Sequence, residues 1–291
     1  VLIHFAEQAD AGPEQFLCAT LSATLAGNDP STGTGTWTYT GPGNVLNWGA
    51  GLTANDNDAQ PLVSAYGDYT FTWTIQNGPV TGGCNTTDNV LIHFAEQADA
   101  GPEQFLCAVL TTTLAGNNPS TGTGTWTYTG PGNVVSWGTG KDATYFDAEP
   151  AVDDYGDYIF TWTIQNGPAT GGCNTSDNVN IHFAEQADAG PEQFLCATRT
   201  ATLAGNDPST GTGTWSYTGP GVVSNWGIGK TPADFDAQPT VSLYGDYTFT
   251  WTIQNGPAAA GCNTSDDVDI HFAEQADAGP EQFLCATTTA G

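Results

Sequence analysis

Seven cysteines carry the reactive chemistry of this chain, and their spacing is regular. Cys18 and Cys84, Cys107 and Cys173, and Cys196 and Cys262 are each 66 residues apart, with Cys285 left over. An odd count ordinarily flags a free thiol, but here the partner of Cys285 would fall in a truncated further copy. Two registers satisfy the arithmetic. The first joins the pairs just named; the second joins Cys84 to Cys107, Cys173 to Cys196 and Cys262 to Cys285, and leaves Cys18. If the strands flanking a junction both run along the long axis, Cys84 and Cys107 lie in different folding units with two strand lengths between them. At roughly 3.3 Å per residue that distance far exceeds what a disulfide spans. Pairing within units is therefore expected. Such a bridge closes a 66-residue loop, contributes about 4 kcal/mol on a chain-entropy estimate, and belongs to an oxidising, extracellular setting.

Other candidate chemistry is weaker. Zinc spacing is absent, since neither CxxC nor HxxxH occurs, and His4, His93, His182 and His271 read as solvated strand residues. Oxygen ligands for calcium are available near each junction from Asp10 and Glu14, Asp99 and Glu103, and Asp188 and Glu192. Neither an EF-hand loop nor a glycine-rich nonapeptide accompanies them, so solvated carboxylates are the plainer reading and no other cofactor is expected. Asn85-Thr86-Thr87, Asn174-Thr175-Ser176 and Asn263-Thr264-Ser265 match the N-glycosylation acceptor, which matters only in a host that glycosylates such sites. The GTGT run at Gly33 and Gly35 lacks the helix that a phosphate loop needs. An enzyme would gather its groups in one privileged place. Here every polar candidate occurs three times, and no catalysis is expected.

Three Lys and Arg stand against 31 Asp and Glu, a formal net charge of −28. That charge repels a phosphate backbone and an anionic membrane alike, so nucleic acid is not an expected partner. No apolar run is long enough to span a bilayer, and no membrane insertion is expected of this segment. The acidic surface serves solubility first.

The elements that must position the cysteines repeat with them. ADAGPEQFLC, Ala9 to Cys18, returns from Ala98, Ala187 and Ala276, every 89 residues. That period is well above those of solenoids and close to the roughly 100 residues of an immunoglobulin-like sandwich, which can bury its own core. The expected division is a last strand of a truncated preceding repeat at 1–8, repeats at 9–97, 98–186 and 187–275, and the start of a truncated fourth at 276–291. Beginning and ending inside a repeat, the chain reads as a window cut from a longer polypeptide. Short connections bounded by Gly12-Pro13 restrict bending, and a stiff rod is expected.

Comparison of the copies supplies a burial test. VLIHF at 1 and 90, VNIHF at 179 and VDIHF at 268 vary only at the second position, so Val, Ile and Phe face inward and His outward on a half-buried strand. Strands are also expected through Glu14–Leu17, Thr20–Ala26 and Thr34–Thr40, the last with Trp37 as a core aromatic. The strongest, Tyr66–Ile75, points Tyr69, Phe71, Trp73 and Ile75 inward, and a Gly- and Thr-rich loop carrying Cys84 leads to the last strand at Val90. Asn44–Tyr66 and its equivalents vary most, marking exposed loop and edge, and hold Lys141 and Lys230.

The series DAGPEQ, LAGN, GTGTW, YGDYTFTWTIQNG and VxIHF resembles the PKD-like, immunoglobulin-like repeats of very large Bacteroidota surface proteins, gliding-motility adhesins among them. The resemblance implies β-sandwiches, secretion to the cell surface and a role in adhesion or appendage building, with no catalytic residue to transfer. The expectation is an all-β array of tandem immunoglobulin-like (PKD-like) sandwiches serving as the structural repeat region of an extracellular filament, fibre or stalk. Its partners are further repeats of the same chain and copies of itself. The alternatives are an adhesin that binds surface glycans through Asn44–Tyr66 and its equivalents, and a spacer in a secreted enzyme.

Overall fold

The computed structural model describes residue 5 and residues 7–77, 83–258 and 260–281. The expected strand over Val1–Phe5 and the leftover Cys285 therefore lie outside the described residues, apart from Phe5, which is exposed.

Every element assigned among the described residues is a strand. In the first repeat these are β1 (Gln15–Cys18), β2 (Thr34–Thr40), β3 (Val45–Asn47), β4 (Leu62–Val63), β5 (Gly67–Asn77) and β6 (Cys84–Ala95). The second repeat has the equivalents β7 (Gln104–Cys107), β8 (Thr123–Thr129), β9 (Val134–Ser136), β10 (Ala151–Val152), β11 (Gly156–Asn166) and β12 (Cys173–Ala184). The third has β13 (Gln193–Cys196), β14 (Thr212–Thr218), β15 (Val223–Asn225), β16 (Thr240–Val241), β17 (Gly245–Asn255) and β18 (Cys262–Ala273).

One layer of the first sandwich is the sheet β1-β6-β5-β2, in which β1 runs parallel to β6 and the other pairs are antiparallel. The second layer holds β3 and β4 with the extended segment 21–27. The segment expected as a continuous strand over Thr20–Ala26 makes one bridge, Ser22 to Leu62, and then bonds at alternate residues, Leu25 N–H to Ala59 O and Gly27 N–H to Asn57 O. Pro61 and the turns around Asp56 interrupt its partner and keep the ladder from becoming regular. The third repeat reproduces this arrangement in β13-β18-β17-β14 and β15-β16.

Alternation along β5 builds the core. Tyr69, Phe71, Trp73 and Ile75 are fully buried, with Val90, Ile92 and Phe94 of β6 and Trp37 of β2 packed among them. Trp37 and Trp73 meet with ring centroids 4.8 Å apart, and each indole N–H reaches a backbone carbonyl, of Asp56 and Asn28 respectively. Tyr69, near the start of β5, donates its hydroxyl to the carbonyl of Ala65, and Tyr158 and Tyr247 do the same to Asp154 and Leu243. A tyrosine corner at the entry to this strand, facing a buried tryptophan on β2, is the signature of an immunoglobulin-like sandwich. The chain is a tandem of them.

The chain divides into two compact units: Val1–Glu103, Leu110–Asp154 and Tyr158–Ile181 form one, and Gln104–Val109, Tyr155–Asp157 and His182–Gly291 the other. This division cuts across the 89-residue period. The first strand of the second repeat belongs with the third repeat, for a reason that lies in the cysteines.

Gly35 is the tightest point in the β2 sheet, because a Cβ there would enter the Trp73 indole. Gly35→Ala is expected to lower unfolding free energy by about 2–3 kcal/mol through overpacking, whereas exposed Thr38→Ala on the same strand stays within about 0.5 kcal/mol. Urea denaturation followed by tryptophan fluorescence checks the contrast.

Candidate functional site at the repeat junction

The disulfides join Cys18 to Cys173 and Cys107 to Cys262, each pair 155 residues apart, with Cα atoms separated by 5.9 Å. The expected pairings of Cys18 with Cys84, Cys107 with Cys173, and Cys196 with Cys262 do not form, and neither does the alternative register. Cys84 and Cys196 are free and exposed. The rule is that the cysteine ending a repeat's first strand pairs with the one opening the next repeat's last strand.

The physical reason is the length of the last strand. The polar run from Cys84 to Asn89 was expected as loop, yet β6 begins at Cys84 and pairs along its whole length with β5, Asn77 opposite Cys84. Residues Cys84–Asn89 carry no apolar alternation, because the inward positions here, Thr86 and Asp88, opposite the buried Ile75 and Trp73, are polar and accept the N–H groups of Ala9 and Ala11. The hairpin thus places its cysteine at the far end of the sandwich from β1.

In the first unit the tip of the β11–β12 hairpin rests on the end of the first sandwich. Asn166, 1% exposed, donates from Nδ2 to the carbonyls of Leu17 (3.2 Å) and His93 (2.9 Å). Gly167, at φ 88°, lies so close to the Phe16 ring that any side chain would collide with it. The Phe16 ring also stacks on His93, with centroids 4.7 Å apart and planes 6° from parallel. Thr121 donates its hydroxyl to Asp68. The second unit repeats the pattern with Asn255 bonded to Leu106 O and His182 O, Gly256 against Phe105, and Thr210 bonded to Asp157.

His93, His182 and His271, expected as solvated, are bonded to carboxylates instead. His93 Nδ1 lies 2.8 Å from Asp68 Oδ1, and its Nε2 lies 2.9 Å from Glu14 Oε1. Only the doubly protonated imidazolium can donate to both carboxylates. Burial alone would lower the pKa of His93, but the hydrogen bonds and charges of Glu14 and Asp68 outweigh it, and the net shift is upward. Burial likewise opposes ionisation of Asp68, and the bonds from Thr121 and His93 overcome it, so its pKa is depressed. His271 has the same two neighbours, Asp246 and Glu192, and a raised pKa.

The carboxylates expected near calcium are put to other uses. Asp10, Asp99 and Asp188 each accept the N–H of the glycine two residues on, Gly12, Gly101 and Gly190. Glu14 and Glu192 face histidines, and Glu103 has partners of its own. Among the described residues no three His, Cys, Asp or Glu side chains stand where they could hold a metal ion. Within the glycosylation-like triplets, Thr86 accepts the Ala9 N–H and donates to Glu7 O, fastening the incoming chain to β6. In the variable region Lys141 lies 3.1 Å from Asp147 and 2.9 Å from Glu149, and Lys230 lies 2.6 Å from Asp236, so both cations are neutralised within their own loops.

The residues missed from sequence are Asn166, Gly167 and Thr121. The QNG triplet is unchanged in all three copies, but it lies just past Ile75, where the expected strand stops. An Asn with a fixed glycine beside it at the tip of a hairpin was the available signal.

No protein-family model matches this chain, and no curated protein does. Solved structures that it resembles include the I-band fragment of titin, at 13% identity over 94% of this chain and 100% of that one, with a TM-score of 0.40. Extracellular domains 3–5 of Drosophila OTK align at 12% identity over 92% of this chain and 96% of theirs, with a TM-score of 0.33. The N-terminal four immunoglobulin domains of Dscam1 align at 11% identity over 94% and 74%, also with a TM-score of 0.33. The assignment of the fold rests on strand order and the tyrosine corner. Together the fold and the junction define a tandem immunoglobulin-like repeat protein whose neighbouring repeats are covalently bridged.

The junction carries a pH signature. The contribution of His93 is fully present below its ordinary pKa of 6.5 and is lost as pH rises through the raised folded value. That of Asp68 is present above 3.8 and is lost as pH falls through its depressed value. Wild type is therefore expected to exceed His93→Gln in urea midpoint by the most between about pH 4 and 6.5. The gap should narrow steadily from pH 6.5 to 9 in parallel melts, and a gap that widens there would overturn the assignment.

Proposed function

We propose that this chain is the structural repeat region of an extracellular filament or stalk on a bacterial surface, of the PKD-like kind, and that its task is to carry tension. The observation that carries this reading is the interleaving of the two bridges, since Cys107 lies inside the loop closed by Cys18–Cys173 and Cys173 lies inside the loop closed by Cys107–Cys262. Pulled at its ends, the covalent path from Cys18 crosses to Cys173, runs back to Cys107 and crosses to Cys262. Only the 66 residues between Cys107 and Cys173 can lengthen, out of the 244 that separate Cys18 from Cys262.

Disulfides of this sort suit an oxidising exterior. No helix among the described residues is long and apolar enough to cross a membrane.

Single-molecule stretching measures the claim. At roughly 3.5 Å per residue the span from Cys18 to Cys262 should extend to about 230 Å when oxidised and to about 850 Å after reduction by dithiothreitol. Equal extensions in the two states would defeat the tension-bearing reading.

A second reading, glycan adhesion, has one observation in its favour. A shallow polar depression of about 410 Å³ in the first repeat is lined by Asp29, Thr36, Asn55 and Asn57 beside the variable region. Thr144 and Phe146 replace the two asparagines in the second repeat, and Ala233 and Phe235 in the third, so a ligand there would be specific to one copy. On a glycan array this reading expects binding that Asn55→Ala abolishes.

A further inference from the structure

Each of the two bridged junctions is closed by an Asn-Gly pair, and the contact demands both residues. Asn166, 1% exposed at the end of β11, donates from Nδ2 to the carbonyls of Leu17 and His93. Gly167, at φ 88°, lies against the Phe16 ring where a side chain would collide. Asn255 and Gly256 repeat this in the other unit, with Leu106 O, His182 O and the Phe105 ring. Among short side chains only asparagine carries two donors on one nitrogen, and only glycine fits against the ring. The seal is thus made from the dipeptide whose side-chain amide is least durable in water. Outside the three QNG triplets no asparagine in the chain is followed by glycine, so that lability is confined to the hairpin ends.

In an open chain the backbone nitrogen of Gly167 attacks Cγ of Asn166. A five-membered succinimide closes, the bond from Cγ to Nδ2 breaks, and that nitrogen leaves as ammonia with the proton given up by the Gly167 nitrogen. Water then adds to one of the two imide carbonyls and opens the ring, to aspartate through one and to isoaspartate through the other. One amide and one water are consumed, one carboxylic acid and one ammonia are formed, and nothing is oxidised or reduced.

The closed junction withholds each requirement. Ring closure needs Asn166 to leave the extended backbone of a strand, and β11 holds it there. The carboxamide must turn towards the Gly167 nitrogen, and two carbonyls clamp it. Water must reach it, and the residue is buried.

We propose that Asn166-Gly167 and Asn255-Gly256 are self-modifying sites gated by the junction. Sealed, they persist; opened, they deamidate, and the product does not reseal. The new carboxylate is acceptor-only, so it would meet Leu17 O and His93 O with no proton to donate and carry an unpaired charge into a buried place. Isoaspartate also lengthens the main chain by a carbon and displaces Gly167 from the Phe16 ring. Each junction therefore keeps an irreversible record of having been open, whether or not the chain carries tension.

The test uses the whole chain in mildly alkaline buffer. Deamidation and disulfides are both read by mass spectrometry of a peptic digest made in acid, where the reaction is slow. The oxidised, folded chain is expected to deamidate at Asn166 and Asn255 at least about tenfold more slowly than the same chain reduced and unfolded in urea, because only locally opened molecules react. Cys18→Ser combined with Cys173→Ser loosens the first junction alone, so Asn166 should then react several-fold faster than Asn255 in the same molecule. Phe16→Ala, which keeps the bridge, should move that ratio in the same direction. Chains aged in the reduced state and returned to oxidising buffer should form Cys18–Cys173 only where Asn166 is intact, while those deamidated at residue 166 alone still form Cys107–Cys262. Equal rates folded and unfolded, a ratio unmoved by either variant, or a Cys18–Cys173 bridge that forms as readily where residue 166 is deamidated would each overturn the proposal. Since the junctions are opened here by substitution and reduction and not by pulling, these outcomes stand apart from the extension measurement that decides the tension-bearing reading.

Discussion

Everything at the junction depends on the hairpin formed by the two longest strands of each repeat, which carries its cysteine to the end of the sandwich opposite the first strand. β5 keeps alternate residues buried from Gly67 to Ile75, while the matching stretch of β6 turns polar and uses Thr86 and Asp88 to hold the N–H groups of Ala9 and Ala11. Beyond Ile75 the buried alternation ends, and the paired Asn77 and Cys84 offer an amide and a thiol. In β11–β12 the next contact supplies what is missing: Asn166 finds two carbonyls, Gly167 meets an aromatic ring, and a disulfide closes beside them. The end of the β11–β12 hairpin and the Phe16 ring complete one another.

This dependence explains why the compact units cut across the period. A repeat defined by sequence begins at its first strand, but the cysteine and phenylalanine of that strand are satisfied by the repeat that follows. A bridge spanning 155 residues removes about 5 kcal/mol worth of unfolded-chain entropy by the loop-closure estimate, more than a 66-residue loop would. It also ties the stability of one sandwich to that of its neighbour.

The sandwich was legible from residues; the junction was not. Substitution of Leu91 by Asn180 and Asp269 at one strand position, beside invariant Val90, Ile92 and Phe94, assigned inside and outside correctly, as did the Tyr69-Phe71-Trp73-Ile75 alternation. Those signals work because a core demands period-two burial. The run from Cys84 to Asn89 keeps that period at Thr86 and Asp88 but meets it with polar side chains bonded to the backbone of Ala9 and Ala11, so no apolar signal marked it and it read as loop. With that strand cut short, the cysteine seemed to belong to its own sandwich, and the disulfide assignment failed for the same reason as the strand boundary. His93 was misjudged differently. It does point outward, but at a position where a neighbouring phenylalanine and two carboxylates surround it.

Near-identical neighbours also raise a folding problem that the junction answers. Adjacent sandwiches of similar sequence can exchange strands during folding, and the exchanged forms bury the same residues as the correct one. Hydrophobic pattern cannot discriminate between them. The bridges can, because each links a first strand only to the hairpin seated against it, and that seating requires both sandwiches to be complete. Because every first strand ends in Gln-Phe-Leu-Cys, an exchange of β1 for β7 would put Cys107 in the place of Cys18 and join it to Cys173, so the pairing that forms tells the two arrangements apart. Placing the disulfide between repeats, instead of inside each core where packed aromatics already suffice, thus makes the covalent bond a record that two neighbours have each folded as themselves.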